Sequence, residues 1–328
     1  MGGIPQPNLN WNDPFEGSFE GSYVDEAGRY RIEHLLGEGG MGKVFLARDE
    51  RLAGRQVAVK IMTACYATGY QVLLQRFERE VAVLAPLKSI HVVQISDFGL
   101  TPPDSIYEGA HFYVMEYLEG ETLGQRLRAK SFLGLDETLP TVIQICAGLR
   151  EAHQRGVIHR DLKPDNIFLV PEKSLGALVK ILDFGIAKVV GEESREPNRP
   201  TTIGSFIGTY RYASPEQCLG RPDIDHRTDI YSLGMIIYRM LSGTNPFGIG
   251  QVVQDNGYKY WIDCHVHVEP IPLSSHPLCQ DLPAGLEAVV MRCLCKDPQD
   301  RFADIDALEQ ALAALPGFNS GHWHWRLS

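Results

Sequence analysis

No run of apolar residues in this 328-residue chain is long enough to cross a bilayer, so the sequence predicts a chain without a membrane span and a cytoplasmic place of work. Positive charge is in short supply: 31 Lys and Arg stand against 41 Asp and Glu, a formal net charge of -10. That balance argues against nucleic acid or an anionic membrane as the main partner. Cysteine is sparse, with seven residues at scattered spacings, an odd number that excludes a fully paired disulfide framework and suits a reducing, cytosolic-type compartment. The first residues show no basic region followed by an apolar core, so a secretory signal is not expected. A Met-Gly start is followed by Gln6, where a myristoylation signal needs Ser or Thr. Internal repeats are absent too. What is present is an ordinary apolar share, 44%, enough for a sizeable core in one large or two small domains.

The texture of the chain changes near Tyr30. Residues 1–28 are rich in Gly, Pro, Asn and acids without an apolar period, and read as a flexible arm. "RYRIEHLL", "KVFLARD" and "RQVAVKIM" are strand-type runs separated by Gly-containing turns. Leu73, Phe77, Val81 and Leu84 recur at helical spacing until Pro86. "HVVQISDFGL" and "HFYVMEYL" read as two more strands, joined by the turn-rich "TPPDSIYEGA". The remainder is mainly helical. "ETLPTVIQICAGLREAHQRG" predicts a helix ending at Gly156. "DIYSLGMIIYRML" is apolar nearly all round, the mark of a helix buried on every side. "GLEAVVMRCLCKD" and "DIDALEQALAAL" are further helices, the first carrying Cys293 and Cys295 in its packing, and "PGFNSGHWHWRLS" is an aromatic tail.

Chemistry concentrates in a few stretches. Gly37, Gly39 and Gly42 form a G-x-G-x-x-G pattern that lets backbone N–H groups approach phosphates; a Gly-rich hairpin turn without a ligand gives the same letters. A dinucleotide site needs a helix directly after the glycines, and a strand follows here. Lys60 ends "VAVK" on the next strand and, taken alone, reads as a solvated edge lysine. Glu80 shares the inward face of the helix with Phe77 and Leu84, and a buried carboxylate needs a cation, for which Lys60 is the candidate. "VIHRDLKPDNIFLV" packs acids, an amide and bases between a helix and a strand. There Asp161 is placed to accept a proton from an attacking hydroxyl, Lys163 to neutralise a phosphoryl group and Asn166 to hold a metal ion. Asp-Phe-Gly, a metal-holding tripeptide, occurs twice, at Asp97 and at Asp183. Only the second follows that loop, so Asp183 is the expected metal ligand, and Asp97 is assigned to the end of a strand entering a turn.

The order G-x-G-x-x-G-x-V, V-A-V-K, helix Glu, H-R-D-L-K-P-x-N, D-F-G, S-P-E resembles the protein kinases, in particular the eukaryotic-type Ser/Thr kinases of bacteria, over about Tyr30 to Leu315. The resemblance implies an α+β, two-lobed fold. An N-lobe at 29–116 would be a small antiparallel sheet with one main helix, a mainly helical C-lobe would take 117–315, and a tail 316–328. It implies ATP as substrate and Mg²⁺ as cofactor, with Gly37, Gly39 and Gly42 over the phosphates and Lys60 on the α- and β-phosphates and on Glu80. Asp161 would be the catalytic base, and Asn166 and Asp183 the Mg²⁺ ligands. Met115 would be the gatekeeper, Glu116 to Leu118 the hinge beside adenine, and Val44, Ala58 and Phe168 the residues sandwiching the ring. Leu84, His159 and Phe184 would stack in a packed column, Asp229 would brace the catalytic loop, and Glu216 would pair with Arg301. Lys163 directly after Asp-Leu resembles the Ser/Thr-specific class, with Thr209 beside it and Asp161. Arg160 before Asp161 is typical of kinases switched by activation-loop phosphorylation, for which Thr201, Thr202 and Ser205 are candidates. Protein substrates are implied, and a homodimer for autophosphorylation in trans.

Some features depart from the pattern. "LKSIHVV" replaces the usual "LxHPxIV", and Phe168 is bulkier than the Leu or Met usual under adenine. "DCHVHVEPIPLSSHPLC" holds Cys264, His265, His267, His276 and Cys279, but its cysteines fit no standard zinc spacing.

Overall fold

The computed structural model describes residues 20–39, 42–62, 81, 85–103, 105, 107–173, 176–184, 210–250 and 257–316. These form two compact units, one drawn from 1–67 and 95–117, the other from 68–94 and 118–328.

The first unit is a five-stranded sheet, β1 (Tyr30–Gly39), β2 (Gly42–Asp49), β3 (Arg55–Ile61), β4 (Ile95–Leu100) and β5 (His111–Glu116), in the order β1-β2-β3-β5-β4. All of its pairings are antiparallel. Successive side chains on a strand point to opposite faces. Phe45, Ala47, Val57, Val59, Ile61, Phe112 and Val114 therefore close one core on a single face of the sheet. Val59 and Val114 are fully buried there, each burial stabilising by roughly 1.5–3 kcal/mol.

Part of the stretch expected as an arm, within 1–28, pairs with β1. The Gly21 N–H donates to the Ile32 carbonyl and the Val24 N–H to that of Tyr30, and Val24 belongs to the sheet's core. One apolar residue among polar neighbours makes no period, so this return onto β1 was not legible. Residues 1–19, and 317–328 of the tail, lie outside the described residues. So does the expected helix at Leu73–Leu84, apart from Val81, which is helical and fully buried.

The expected contiguous N-lobe, 29–116, is also interrupted. "HVVQISDFGL" divides between the units. His91–Val93 join the second unit, where Val92 bridges Ile181, Ile181 N–H donates to the His91 carbonyl at 2.8 Å and the His91 Nδ1 meets the Val179 carbonyl at 3.1 Å. Strand β4 begins at Ile95 and pairs with β5 in the first unit.

The second unit opens with β6 (Glu121–Thr122) and α1 (Leu123–Lys130), capped by Thr122 and Gln125 reciprocally. Helix α2 (Leu135–Gln154) stops at Gly156, whose φ of 74° suits glycine. The hairpin β7 (Ile167–Glu172) and β8 (Gly176–Ile181) follows, then α3 (Pro215–Cys218), α4 (Arg227–Ser242), α5 (Gly257–His267), α6 (Leu286–Cys293) and α7 (Ile305–Ala313). In α4 every residue but Arg227 and Arg239 is buried, as its all-round apolar sequence predicts. Cys293 ends α6 fully buried, whereas Cys295 lies beyond the helix. Among the described residues no helix is long and apolar enough to cross a membrane, and no group of three or more His, Cys, Asp or Glu is placed to hold a metal ion.

Two histidines of the α5 segment, His265 and His276, are used in packing, and His267 is exposed. His276 meets the Tyr238 hydroxyl at 2.5 Å. His265 is fully buried against Trp261 and Phe247, with its Nδ1 2.8 Å from the Tyr231 hydroxyl. Burial, helped by the charge of Lys296, pushes its pKa down to about 3. The unfolded chain, with an ordinary histidine near 6.5, therefore binds the proton that the folded state refuses. Stability is expected to fall by roughly 1.4 kcal/mol per pH unit as pH drops from about 6.5 towards 3. Urea unfolding of wild type and His265→Gln at a series of pH values checks this, the variant showing the shallower acid slope.

Candidate active site

The face of the first sheet opposite its core collects the residues expected around a nucleotide. Val44 stands opposite Lys60, Leu46 opposite Ala58, Ala58 opposite Met115 and Lys60 opposite Tyr113. Strand alternation thus puts Val44, Ala58, Lys60 and Met115 on one side. Lys60 is only 7% exposed, with its ammonium 5.9 Å from the Tyr113 ring centre, so it is not the solvated edge lysine that the strand alone allowed. Glu116 ends β5, and Leu118, two residues on, belongs to the second unit; both are half-buried. Glu80 lies outside the described residues.

The three glycines are not equivalent. At Gly42, beside Ile61 on β3, an added Cβ would sit 2.0 Å from the Ile61 carbonyl oxygen, so no other residue fits. Among the described residues, a Cβ at Gly37 or Gly39 would meet nothing within 4 Å. Packing inside the protein accounts for the first glycine and not for the other two. Open backbone in a hairpin is what a phosphate-bearing ligand requires.

In the second unit Asp161, Lys163 and Asn166 converge. Asp161 is 7% exposed. Its Oδ2 accepts a hydrogen bond from the Lys163 ammonium at 2.7 Å and a longer one, 3.3 Å, from the Asn166 amide. That amide nitrogen also donates to the Asp161 carbonyl at 2.9 Å. With its nitrogen committed inward, the Asn166 side chain has its oxygen to offer a cation. Asn166 immediately precedes β7 and Asp183 follows β8 by two residues, and the register Ile167↔Ile181 joins the two strands just there. The Leu182 N–H donates to the Asn166 carbonyl at 2.8 Å, tying the segments together. Asp183 itself adopts a φ of 46°, a left-handed conformation rare outside glycine. Phe168 lies on β7 opposite Thr122 and Lys180. Thr201, Thr202, Ser205 and Thr209 lie outside the described residues.

Asp229 braces this loop from the buried helix α4. Its Oδ2 accepts the His159 N–H at 2.8 Å and its Oδ1 the Arg160 N–H at 2.9 Å. His153 on α2 adds a 2.8 Å contact to Oδ2. Full burial alone would raise the Asp229 carboxyl; these hydrogen bonds and the histidines around it hold it below the usual carboxylate range instead. His159 is held below the usual histidine range by burial, and its ring packs 4.7 Å from that of Phe184. Glu216 and Arg301 pair through two bonds, 2.7 and 2.8 Å. His153 and Gln217, which touches the Arg160 carbonyl, were missed by sequence reasoning. Gln217 carried a partial signal, because Ser214-x-x-Gln217 is a capping-box pattern. Its bond to a residue 57 positions away carried none.

The donor set has the chemistry of a hard divalent cation: one carboxylate, Asp183, and one amide, Asn166, both oxygen ligands beside a lysine suited to phosphate. Both side chains offer a hard oxygen and neither offers sulfur or imidazole, so Mg²⁺ fits these residues.

Asp97 is not at the end of a strand entering a turn. It sits inside β4 at a register shift, opposite Val114. Its Oδ2 accepts from Arg29 at 2.9 Å and from the Tyr30 hydroxyl at 2.6 Å, and Arg29 in turn grips the fully buried Asp49. Gly99 belongs to the same strand for packing, since a Cβ there would meet the Phe112 ring at 3.0 Å. The first Asp-Phe-Gly is therefore a structural element of the sheet. Asp97→Asn is expected to lose about 1 kcal/mol, a Tm drop of a few degrees, while leaving turnover within about threefold of wild type. Thermal melts run beside a transfer assay check both halves.

A family model described as the protein kinase domain matches residues 30–313. The chain belongs to that family. Among curated proteins, this kinase-family chain is similar to serine/threonine-protein kinase A of Synechocystis, 40% identical over 301 residues, covering 88% of this chain and 53% of the relative. It is 38% identical over 286 residues to serine/threonine-protein kinase Pkn1 of Myxococcus xanthus, covering 87% of this chain and 38% of that one. To serine/threonine-protein kinase PknB of Mycobacterium tuberculosis it is 37% identical over 276 residues, 84% of this chain and 41% of the relative. The chain thus spans about half the length, or less, of these bacterial relatives. The protein kinase fold expected from the motifs is the fold found, and the family generally uses ATP and Mg²⁺.

Proposed function

We propose that this chain is an ATP-dependent protein serine/threonine kinase, transferring the γ-phosphate to Ser or Thr hydroxyls of protein substrates in bacterial-type signalling. The observation that carries the reading is Asp161, a buried carboxylate joined to both Lys163 and Asn166 within a kinase-family domain. Asp161 accepts the proton of the attacking hydroxyl at its carboxylate oxygen. Lys163 stands beside it to meet the charge on the transferring phosphoryl oxygens. Lys60 receives the α- and β-phosphates, with Glu80 as its counter-ion, and the Gly37–Gly42 hairpin donates backbone N–H groups. Val44, Ala58, Met115, Glu116, Leu118 and Phe168 take the adenine. Asn166 and Asp183 would hold Mg²⁺, which when bound supplies positive charge to the phosphate oxygens. Lys163 in its position after Asp-Leu supports Ser/Thr over Tyr specificity.

Autophosphorylation in trans between two copies, at Thr201, Thr202 or Ser205, belongs to the same proposal. Intact-mass analysis after incubation with Mg²⁺ and ATP tests the reading. Wild type should gain phosphate on itself or label a generic basic protein, while Asp161→Asn and Asp183→Asn should do neither. Wild type that labels neither target under those conditions would overturn the reading.

A further inference from the structure

The residue before the proposed base is held in an unusual backbone state. Arg160 has a φ of 61°, in the left-handed region that non-glycine residues avoid. Such a conformation persists only when its surroundings fix it. Asp229 grips the Arg160 N–H. The other side of the residue, its carbonyl, accepts a 2.7 Å hydrogen bond from the Gln217 side-chain amide. The following peptide N–H, that of Asp161, donates to the His159 carbonyl at 2.8 Å. The Arg160–Asp161 peptide is thus held at both its C=O and its N–H.

Gln217 can serve there because its own amide is oriented. Its Oε1 accepts the Ser214 N–H at 3.0 Å, which fixes the nitrogen on the side of Arg160. The Ser214 hydroxyl meets that of Thr228 at 2.6 Å, one residue before Asp229. A closed circuit results: Ser214, Gln217, Arg160, Asp229, Thr228. It couples the Ser-Pro-Glu segment to the aim of Asp161.

We propose that Gln217 is a positioning residue for phosphoryl transfer, its amide N–H₂ fixing the Arg160–Asp161 peptide and through it the direction of the Asp161 carboxylate. This rests on the kinase reading above. It differs from a role in helix capping alone, and the difference can be measured. Glutamate caps helix α3 as well as glutamine does, because a carboxylate oxygen still accepts the Ser214 N–H. But glutamate has no N–H to give the Arg160 carbonyl and sets a negative oxygen against it.

The test compares wild type with Gln217→Glu and Gln217→Ala in a steady-state assay and in amide hydrogen exchange over residues 158–163. In Gln217→Glu kcat should fall by about ten- to a hundredfold with KM for ATP within about twofold, at an unchanged melting temperature. Exchange at Asp161 should quicken in both variants. A Gln217→Glu protein with wild-type kcat and wild-type exchange would reduce the residue to a helix cap and overturn the proposal. Should wild type itself transfer no phosphate, the kinase reading fails by that result. The exchange data then decide about the peptide separately: faster exchange upholds its fixation by Gln217, and unchanged exchange removes it.

Discussion

Replacing Asp161 with Asn is expected to lower kcat by about 10²–10⁴-fold, with little change in KM for ATP. The substitution keeps shape and removes one capacity. An amide cannot take the proton of the attacking hydroxyl, and it cannot hold the Lys163 ammonium, now 2.7 Å away, by charge. The backbone around it does not depend on that side chain. His159 and Arg160 hang from Asp229, and the Asn166 amide retains the Asp161 carbonyl. The loop should therefore keep its form while the chemistry stops. Nucleotide affinity measured by titration calorimetry and turnover measured on the same preparation separate the two. A variant retaining a tenth or more of the wild-type kcat would assign the proton to another group.

The largest loss of stability is expected from Arg301. Its guanidinium is fully buried and all five of its N–H groups are spoken for. Glu216 takes two, and the carbonyls of Cys295, Arg227 and Lys296 take the rest. The plane lies 4.9 Å above the Tyr231 ring. Arg301→Ala leaves the Glu216 carboxylate, 5% exposed, without its cation and removes one donor from each of three carbonyls. Breaking such a buried pair costs about 3–5 kcal/mol. Arg301→Lys should recover only part of this, because an ammonium offers three donors and no planar fork. Urea unfolding of both variants, with Glu216→Gln beside them, checks the order. Equal stability of Lys and Arg at this position would show that the fork geometry contributes nothing.

The legible part of this protein is what depends on neighbours in sequence. Alternation placed Val57, Val59 and Ile61 on one face of β3 and left Ala58 and Lys60 on the other. The all-round apolar run marked α4 as a buried helix, and the order of the kinase motifs marked the family and fold that were found. Long-range partners were the illegible part. That Asp97 would be taken by Arg29 and Tyr30, 68 and 67 positions earlier, left no local mark, so Asp-Phe-Gly read as a turn. Val24 joins the sheet's core from a polar stretch with no period. The segment 91–93 reads as the start of β4, yet its backbone pairs with Ile181 instead. The glycines divide the same way: spacing found all three, but only the backbone of Ile61 explains why Gly42 admits no side chain.

The distance along the chain between the His159–Asn166 loop and its braces sets a timetable for synthesis. The first sheet can complete once β5 has been made. The His159 N–H, by contrast, waits 70 residues for the Asp229 carboxylate, and Glu216 waits 85 for Arg301. At a ribosomal pace of about 5–20 residues per second these gaps correspond to roughly 3.5–14 and roughly 4–17 seconds. A nascent chain therefore carries Asp161, the proposed base, in an unbraced loop until α4 emerges, after the strands of the first sheet already exist.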